Sequence, residues 1–309
     1  HDFQPRRGRL VDHNRRLTPA NPAADFRRSG VPTVADEMRR IMPRDRWLLG
    51  LLDQHQTLTT EQVAAIAFPN LRKARRRLLL LRQRGVLDRF RHAVRPGSQS
   101  WRWTLGPLGA AIVAAGNGDP MPRPAAVRAR PDRLATSPRL AHLLGTNQIF
   151  CALAAHARHH PEVELARWWP ERRAAQACGN LVRPDGHGVW VEHGRRVPFW
   201  LEYDLGSEVL ARVADKLTGY ARLATTDLAY PVLFWLPNTA REDHLHRLLA
   251  RTNGGARVTV VTAATDHAAD LGPAARVWRL AGGTRRVRLA DIPTTPGGPG
   301  PSSGAPWDG

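Results

Sequence analysis

From residue 45 onward the apolar residues of the chain fall at helical or strand spacing. In RDRWLLGLLDQHQ the stripe is Trp47, Leu48, Leu51 and Leu52. TTEQVAAIAF follows, with Thr59 placed to cap a helix and Gln62 at its third helical position. In NLRKARRRLLLLRQRGVL, Leu71, Ala74, Leu78 and Leu81 form one buried face, and Arg72, Lys73, Arg75, Arg76 and Arg77 fill the remaining circumference. Gly85 ends that helix. VLDRFRHAVRPGSQSWRWTLG then alternates as two strands about a Pro96-Gly97 turn, and a short helix over 107–115 closes the unit. Beyond a proline-rich stretch, a long apolar helix is predicted with Leu140, Leu143, Leu144, Ile149 and Leu153 inward. VELARWWPE reads as a strand, 189–191 and 197–201 as a hairpin, and SEVLARVADKLTGYARL as a helix over 207–223. The strand YPVLFWL, the helix REDHLHRLLAR and the strand RVTVVTA complete an α-β-β-β-α-β-α-β order, which predicts a mixed sheet flanked by helices.

This pattern predicts an α+β chain of two domains. Residues 1–43 form a basic, proline-rich flexible arm with a short helix near 33–41. Residues 44–116, three helices followed by a hairpin, read as a winged helix-turn-helix whose third helix enters the major groove. The cations of that helix and Arg95 at the wing tip are the expected DNA contacts. A protein-interaction winged helix with a merely solvated basic face is the competing reading. Residues 117–138, with five prolines and no apolar period, read as a linker that leaves two separable domains. Residues 139–290 form the mixed α/β domain, and 291–309 a Pro/Gly/Ser-rich disordered tail.

Charge narrows the partner. The 309 residues carry 46 Lys and Arg against 27 Asp and Glu, a formal net charge of +19. That excess favours a polyanion, and double-stranded DNA is the first candidate. No apolar run approaches the length of a membrane span, and no basic amphipathic helix suits a membrane surface. With no secretory leader pattern and only two cysteines, Cys151 and Cys178, the expectation is a cytoplasmic, nucleoid-associated protein without a disulfide framework or zinc site. The pairs His159-His160 and His244/His246 lack a third ligand at metal-binding spacing. Trp47, Trp169, Trp200 and Trp235 fall at core positions; Trp101 and Trp103 pack in the core or stack on a base. GTRRVRL reads as solvated face or general DNA contact.

The chemistry concentrates in RPDGHGVWVEHGRRVPFWLEYDLGSE. A hydrophobic strand runs straight into Glu202 and Asp204, which alternation places on one face, and Asp185 begins the neighbouring strand. Three convergent carboxylates suit a hard divalent cation, Mg²⁺ or Mn²⁺. Lys216, one of only two lysines, borders the inward stripe Leu210, Val213, Leu217 and Ala221 of the next helix, within reach of the same acids. In a chain that writes nearly all its cations as Arg, a lysine there points to a need for a compact ammonium. Against this, Asp185 also suits a turn, Glu202 and Asp204 suit ion pairs with Arg195, Arg196 or Arg212, and Lys216 suits an ordinary helix surface.

The arrangement resembles the PD-(D/E)xK nuclease superfamily, with Pro184-Asp185 and Glu202 on successive strands and the same element order. It departs twice: Asp204 stands where the lysine is expected, so Lys216 would be a migrated lysine, and the helix at 138–160 has no acid. An N-terminal winged helix, RPDG, LEYDLGSE and DKLTGYARL together, over roughly 44–265, are similar to the replication-relaxation family of actinobacterial plasmids and integrated elements. The resemblance implies a restriction-endonuclease-like fold in which Asp185 and Glu202 hold Mg²⁺ with Asp204 beside them, and Lys216 positions or activates water. It also implies DNA binding tied to plasmid replication, relaxation or transfer, with other replication or transfer proteins as partners and a dimer left open. Two functions follow: a Mg²⁺-dependent DNA endonuclease that nicks or cleaves structured DNA, or a non-catalytic DNA-binding accessory with a degenerate nuclease fold.

Overall fold

The computed structural model describes residues 33–92, 99–207, 209–252 and 258–294. It divides into two units, His1–Ile41 and Met42–Gly309. In the first, helix α1 (Val34–Arg40) is capped by Thr33, whose hydroxyl accepts from the Asp36 amide at 3.1 Å.

The larger unit begins with α2 (Pro43–His55), β1 (Leu58–Thr59), α3 (Thr60–Ala67) and α4 (Leu71–Gln83). The expected capping box forms: Thr59 Oγ1 accepts from the Gln62 amide at 3.1 Å, and Gln62 Oε1 accepts from the Thr59 amide at 2.8 Å. Asn70 caps α4. Ala74, Leu78 and Leu81 are buried as the period requires. In α2 the buried stripe is Leu48, Leu49 and Leu52, whereas Trp47 is 48% exposed, one helical step off the predicted face. Gly85, at φ +73°, turns the chain into β2 (Leu87–Phe90), which pairs with β3 (Arg102–Leu105) in a sheet of order β1-β3-β2. The Pro96-Gly97 turn and Arg95 lie outside the described residues.

Helix α5 (Pro107–Asn117) follows, and here the linker expectation needs correction. Residues 124–135 fold into two short helices, α6 (Pro124–Arg128) and α7 (Arg130–Ala135), with Val127 and Leu134 buried. Leu134 packs with Phe90 and Leu140. Two apolar side chains seven residues apart suffice to dock this segment despite its prolines.

Helix α8 (Leu140–His159) holds the N-terminal helices against the rest of the unit. Asn147 Nδ2 donates to the carbonyls of Thr57 (2.9 Å) and His55 (3.2 Å). Gln62 Nε2 donates to Gln148 Oε1 (3.1 Å), and Arg158 Nη1 donates to the Phe68 carbonyl (2.6 Å). The His55 ring stacks on Trp168 with centroids 3.9 Å apart. Residues 42–309 therefore pack as one compact unit rather than two separable domains.

The second sheet contains seven strands in the order β10-β9-β8-β7-β6-β5-β4. β4 (Val163–Pro170), β5 (Gly186–Glu192) and β6 (Arg195–Tyr203) form an antiparallel meander, with α9 (Glu171–Ala177) between β4 and β5. The β5–β6 turn places His193 at φ 49° and Gly194 at φ 77°, both left-handed, as a tight hairpin requires. Crossovers through α10 (Leu210–Leu223) and α11 (Thr239–Thr252) add the parallel strands β7 (Val232–Leu236) and β8 (Val260–Ala264). After α12 (Thr265–Ala268), β9 (Trp278–Leu280) and β10 (Arg286–Val287) extend the sheet antiparallel.

Alternation along β6 distributes two cores. Phe199 and Leu201 face Ile149, Phe150 and Leu153 of α8, while Trp200 faces Leu217 and Tyr220 of α10. The expected solvated GTRRVRL segment instead supplies β10: Arg286 pairs with buried Glu242, and Arg288 with buried Glu192. The predicted tail also starts too early, since Ile292 is fully buried. Among the described residues no helix is long and apolar enough to cross a membrane.

Replacing Asn147 with Leu removes the donor shared by two buried carbonyls, so stability should drop by about 1–3 kcal/mol. Chemical denaturation should show one cooperative transition in both proteins. Two resolved transitions in the wild type, or two stable halves after limited proteolysis within 124–135, would contradict the docked arrangement.

Candidate functional site

The opening of β5 and the end of β6 bring Asp185 and Glu202 together. The Asp185 amide donates to the Leu201 carbonyl at 3.0 Å, and its Oδ2 accepts from the Tyr203 amide at 2.8 Å. The same Oδ2 lies 3.1 Å from Nε2 of His142, on α8. Gly145, one turn further, leaves room for the Tyr203 ring; a Cβ there would sit 2.2 Å from it. Glu202 is 2% exposed and faces α10, where Lys216 Nζ donates to Oε2 and Tyr220 Oη donates to Oε1, each at 2.6 Å. Lys216 and Tyr220 are four residues apart and so share one helix face.

Burial, followed by the charge of Asp185, pushes the Glu202 carboxyl up to about 8, against the pull of Lys216 and Tyr220. Burial and the Glu202 charge hold the Tyr220 phenol well above its usual range, so it remains a donor. Burial works against a charged His142, but its hydrogen bond to Asp185 and that residue's charge outweigh the penalty and raise its proton affinity.

Asp204 does not join the pair. It lies one residue beyond β6, where strand alternation no longer sets its direction, and it forms an ion pair with Arg241 of α11. Its Oδ1 accepts from the Gly206 amide at 2.7 Å. The partners foreseen for these acids, Arg195, Arg196 and Arg212, are replaced by Lys216 and Arg241; Arg195 pairs with Asp291 at 2.8 Å. Among the described residues no three His, Cys, Asp or Glu side chains form a ready metal cage. Asn147 and Gln148, the oxygen donors on α8, are used in docking.

Asp185 and His142 line a cavity of about 830 Å³ between α7, α8 and α9. Arg130, Arg139, Arg172, Arg173 and Arg183 line the same cavity, and Glu171 engages Arg139 at 2.7 Å and Arg183 at 3.6 Å. On α4, Arg72, Lys73 and Arg76 are exposed, and Arg75 reaches Glu61 only at 4.0 Å. Arg77 departs from the predicted set. Its guanidinium turns inward to fully buried Asp45 on α2, because that carboxylate would otherwise lack a counter-ion.

The family model described as replication-relaxation matches residues 49–233, more than half of the chain and spanning both the helical layer and the carboxylate pair. The chain belongs to the replication-relaxation family. No curated protein and no solved structure matches it. Membership in the replication-relaxation family suggests a role in replication or relaxation of plasmid or mobile-element DNA.

Within this framework, sequence reasoning placed Asp185, Glu202 and Lys216 but missed His142, Tyr220 and the arginine-lined cavity. Tyr220 was accessible through its four-residue spacing from Lys216. His142 carried no signal, since only the packing of α8 brings it to Asp185.

Glu202 binds its proton more tightly in the folded chain than when unfolded, where the ordinary value is 4.5. The folded state therefore holds the extra proton, and stability is lost as pH rises from about 4.5 to 8. The melting temperature of the wild type should fall relative to Glu202→Gln across that range. Parallel pH profiles would show that Glu202 is ionised throughout.

Proposed function

We propose that this protein binds duplex DNA of a plasmid or integrated element through a winged helix-turn-helix and nicks or cleaves it with a restriction-endonuclease-like domain. The observation that carries this reading is the pairing of Asp185 and Glu202 beside Lys216, with Asp185 on the wall of a cavity containing five arginines. Helices α2 to α4 followed by β2 and β3 support the winged helix. The α8-β4-β5-β6-α10-β7 order, with an antiparallel meander and a parallel return strand, supports the nuclease-like domain. The arginine-dominated charge and the family support an actinobacterial mobile element, cytoplasmic and nucleoid-associated, with other replication or transfer proteins as further partners.

Mg²⁺ or Mn²⁺ suits Asp185 and Glu202, two hard oxygen donors crowded at one strand end with Asp185 reaching the cavity; Asp204 is not needed, since such ions retain waters. When bound, the ion lowers the pKa of a water and offsets charge on the phosphate. The chain's own contributions are separate. Arginines of the cavity hold the phosphate backbone, the Tyr203 amide and His142 fix the Asp185 carboxylate, and Tyr220 and Lys216 orient that of Glu202. Lys216, a third exposed, also offers a proton or a hydrogen bond beside the acids.

A second reading, a DNA-binding accessory without catalysis, is favoured by one observation. Both Glu202 oxygens already accept hydrogen bonds, and its raised proton affinity keeps it neutral near pH 7.

Supercoiled plasmid with Mg²⁺ or Mn²⁺ separates the two. The nuclease reading expects metal-dependent nicking that disappears in Asp185→Asn and Glu202→Gln and falls by about a hundredfold in Lys216→Ala. Tight duplex binding with no nicking would leave the accessory. For binding itself, replacing Arg72, Lys73 and Arg76 with Ala should lower the salt dependence by roughly three phosphate contacts. An unchanged slope would remove α4 from the DNA interface.

A further inference from the structure

A second basic concavity lies on the N-terminal sheet, away from the carboxylates. It has a volume of about 320 Å³ and is lined by Arg75 of α4, Arg89 of β2, Arg91 just beyond it, and Trp101 at the start of β3. The Arg89 guanidinium lies 3.7 Å from the Trp101 ring centroid, and that of Arg91 lies 4.2 Å from the same ring. Two cations thus share one indole, which fixes both at a common height above the sheet.

Their charge is poorly matched. One acid, Glu61, lines the concavity, and it sits 4.0 Å from Arg75. Asp88 is directed to Arg82, at 3.8 Å. Among the described residues no carboxylate forms an ion pair with Arg89 or Arg91, and Arg89 Nε is buried without a hydrogen-bond partner. Burial, and behind it the charges of Arg82 and Arg91, lowers the proton affinity of Arg89. Crowding guanidinium groups without counter-ions costs free energy that a bound anion would recover. Planar guanidinium forks are matched to the oxygens of a phosphate.

We propose that Arg75, Arg89 and Arg91, arrayed around Trp101, form a subsite for one phosphate of the DNA backbone. The proposal rests on the DNA-binding reading and deepens it, adding an anchor on the sheet to the cations of α4. Trp103, 1% exposed with its Nε1 donating to Thr60 Oγ1 at 2.9 Å, anchors the floor of the subsite and takes no part in binding.

The test uses the full chain, with duplex binding followed by fluorescence anisotropy over a range of salt and melting followed with inorganic pyrophosphate. In R89Q/R91Q the slope of log K against log salt should become shallower by about two, one for each lost phosphate contact. R89K/R91K should keep the wild-type slope, because charge is retained, while binding more weakly, because the fork is lost. Pyrophosphate should raise the melting temperature of the wild type and not that of R89Q/R91Q. An R89Q/R91Q protein that melts like the wild type but keeps its slope and its pyrophosphate response overturns the subsite. If the wild type fails to bind duplex at all, yet its pyrophosphate response needs Arg89 and Arg91, the DNA-binding reading fails and DNA is overturned as the source of the phosphate.

Discussion

Glu202 is buried beside a second carboxylate, and its environment reconciles that crowding with folding. Moving a carboxylate out of water is costly, and a like charge nearby raises the cost. The chain answers with an ammonium from Lys216, a phenol from Tyr220 and a raised proton affinity. Those partners require α10 to lie over the end of β6, which the crossover to the parallel strand β7 enforces. Asp185 requires a separate set, the Tyr203 amide and His142. The geometry of the sheet edge and the electrostatics of the pair are one problem, solved once.

Helix α8 links this edge to the rest of the molecule. One part of it fills the sheet core with Ile149, Phe150 and Leu153. Asn147 and Gln148 fasten the N-terminal helices, and His142 reaches Asp185. The arginine-lined cavity lies against this helix, so the docking that joins the layers also shapes the space in front of Asp185. A polyanion held there would meet the carboxylate pair from the Asp185 side, since both oxygens of Glu202 are turned to α10.

Much of the scaffold was legible in the sequence because its signals are local. The Thr59/Gln62 capping box, the stripe of α4, the β5–β6 hairpin and the crossover helices each follow from spacing within one element. Convergence of Asp185, Glu202 and Lys216 was legible too, because neighbouring strands and the following helix constrain one another. What failed depended on tertiary direction. Asp204 lies one residue past its strand and turns to Arg241; Arg77 follows the helical circumference but is captured by Asp45. The segment 124–135 looked like linker because two buried side chains make no period. Arg286 and Arg288 looked solvated because their buried partners, Glu242 and Glu192, are distant in sequence.

The central claim is that Asp185 and Glu202 form a built cation site and not only an internal ion-pair network. Direct binding of Mn²⁺, followed through the loss of the free-ion paramagnetic resonance signal at pH 8, tests it without reference to any substrate. The account predicts about one ion held per chain in the wild type, displaced by excess Mg²⁺, and none held in Asp185→Asn or Glu202→Gln, since Mg²⁺-type sites rest on one or two carboxylates. Wild-type protein that leaves the signal of the free ion unchanged, or an Asp185→Asn variant that binds as the wild type does, would contradict it.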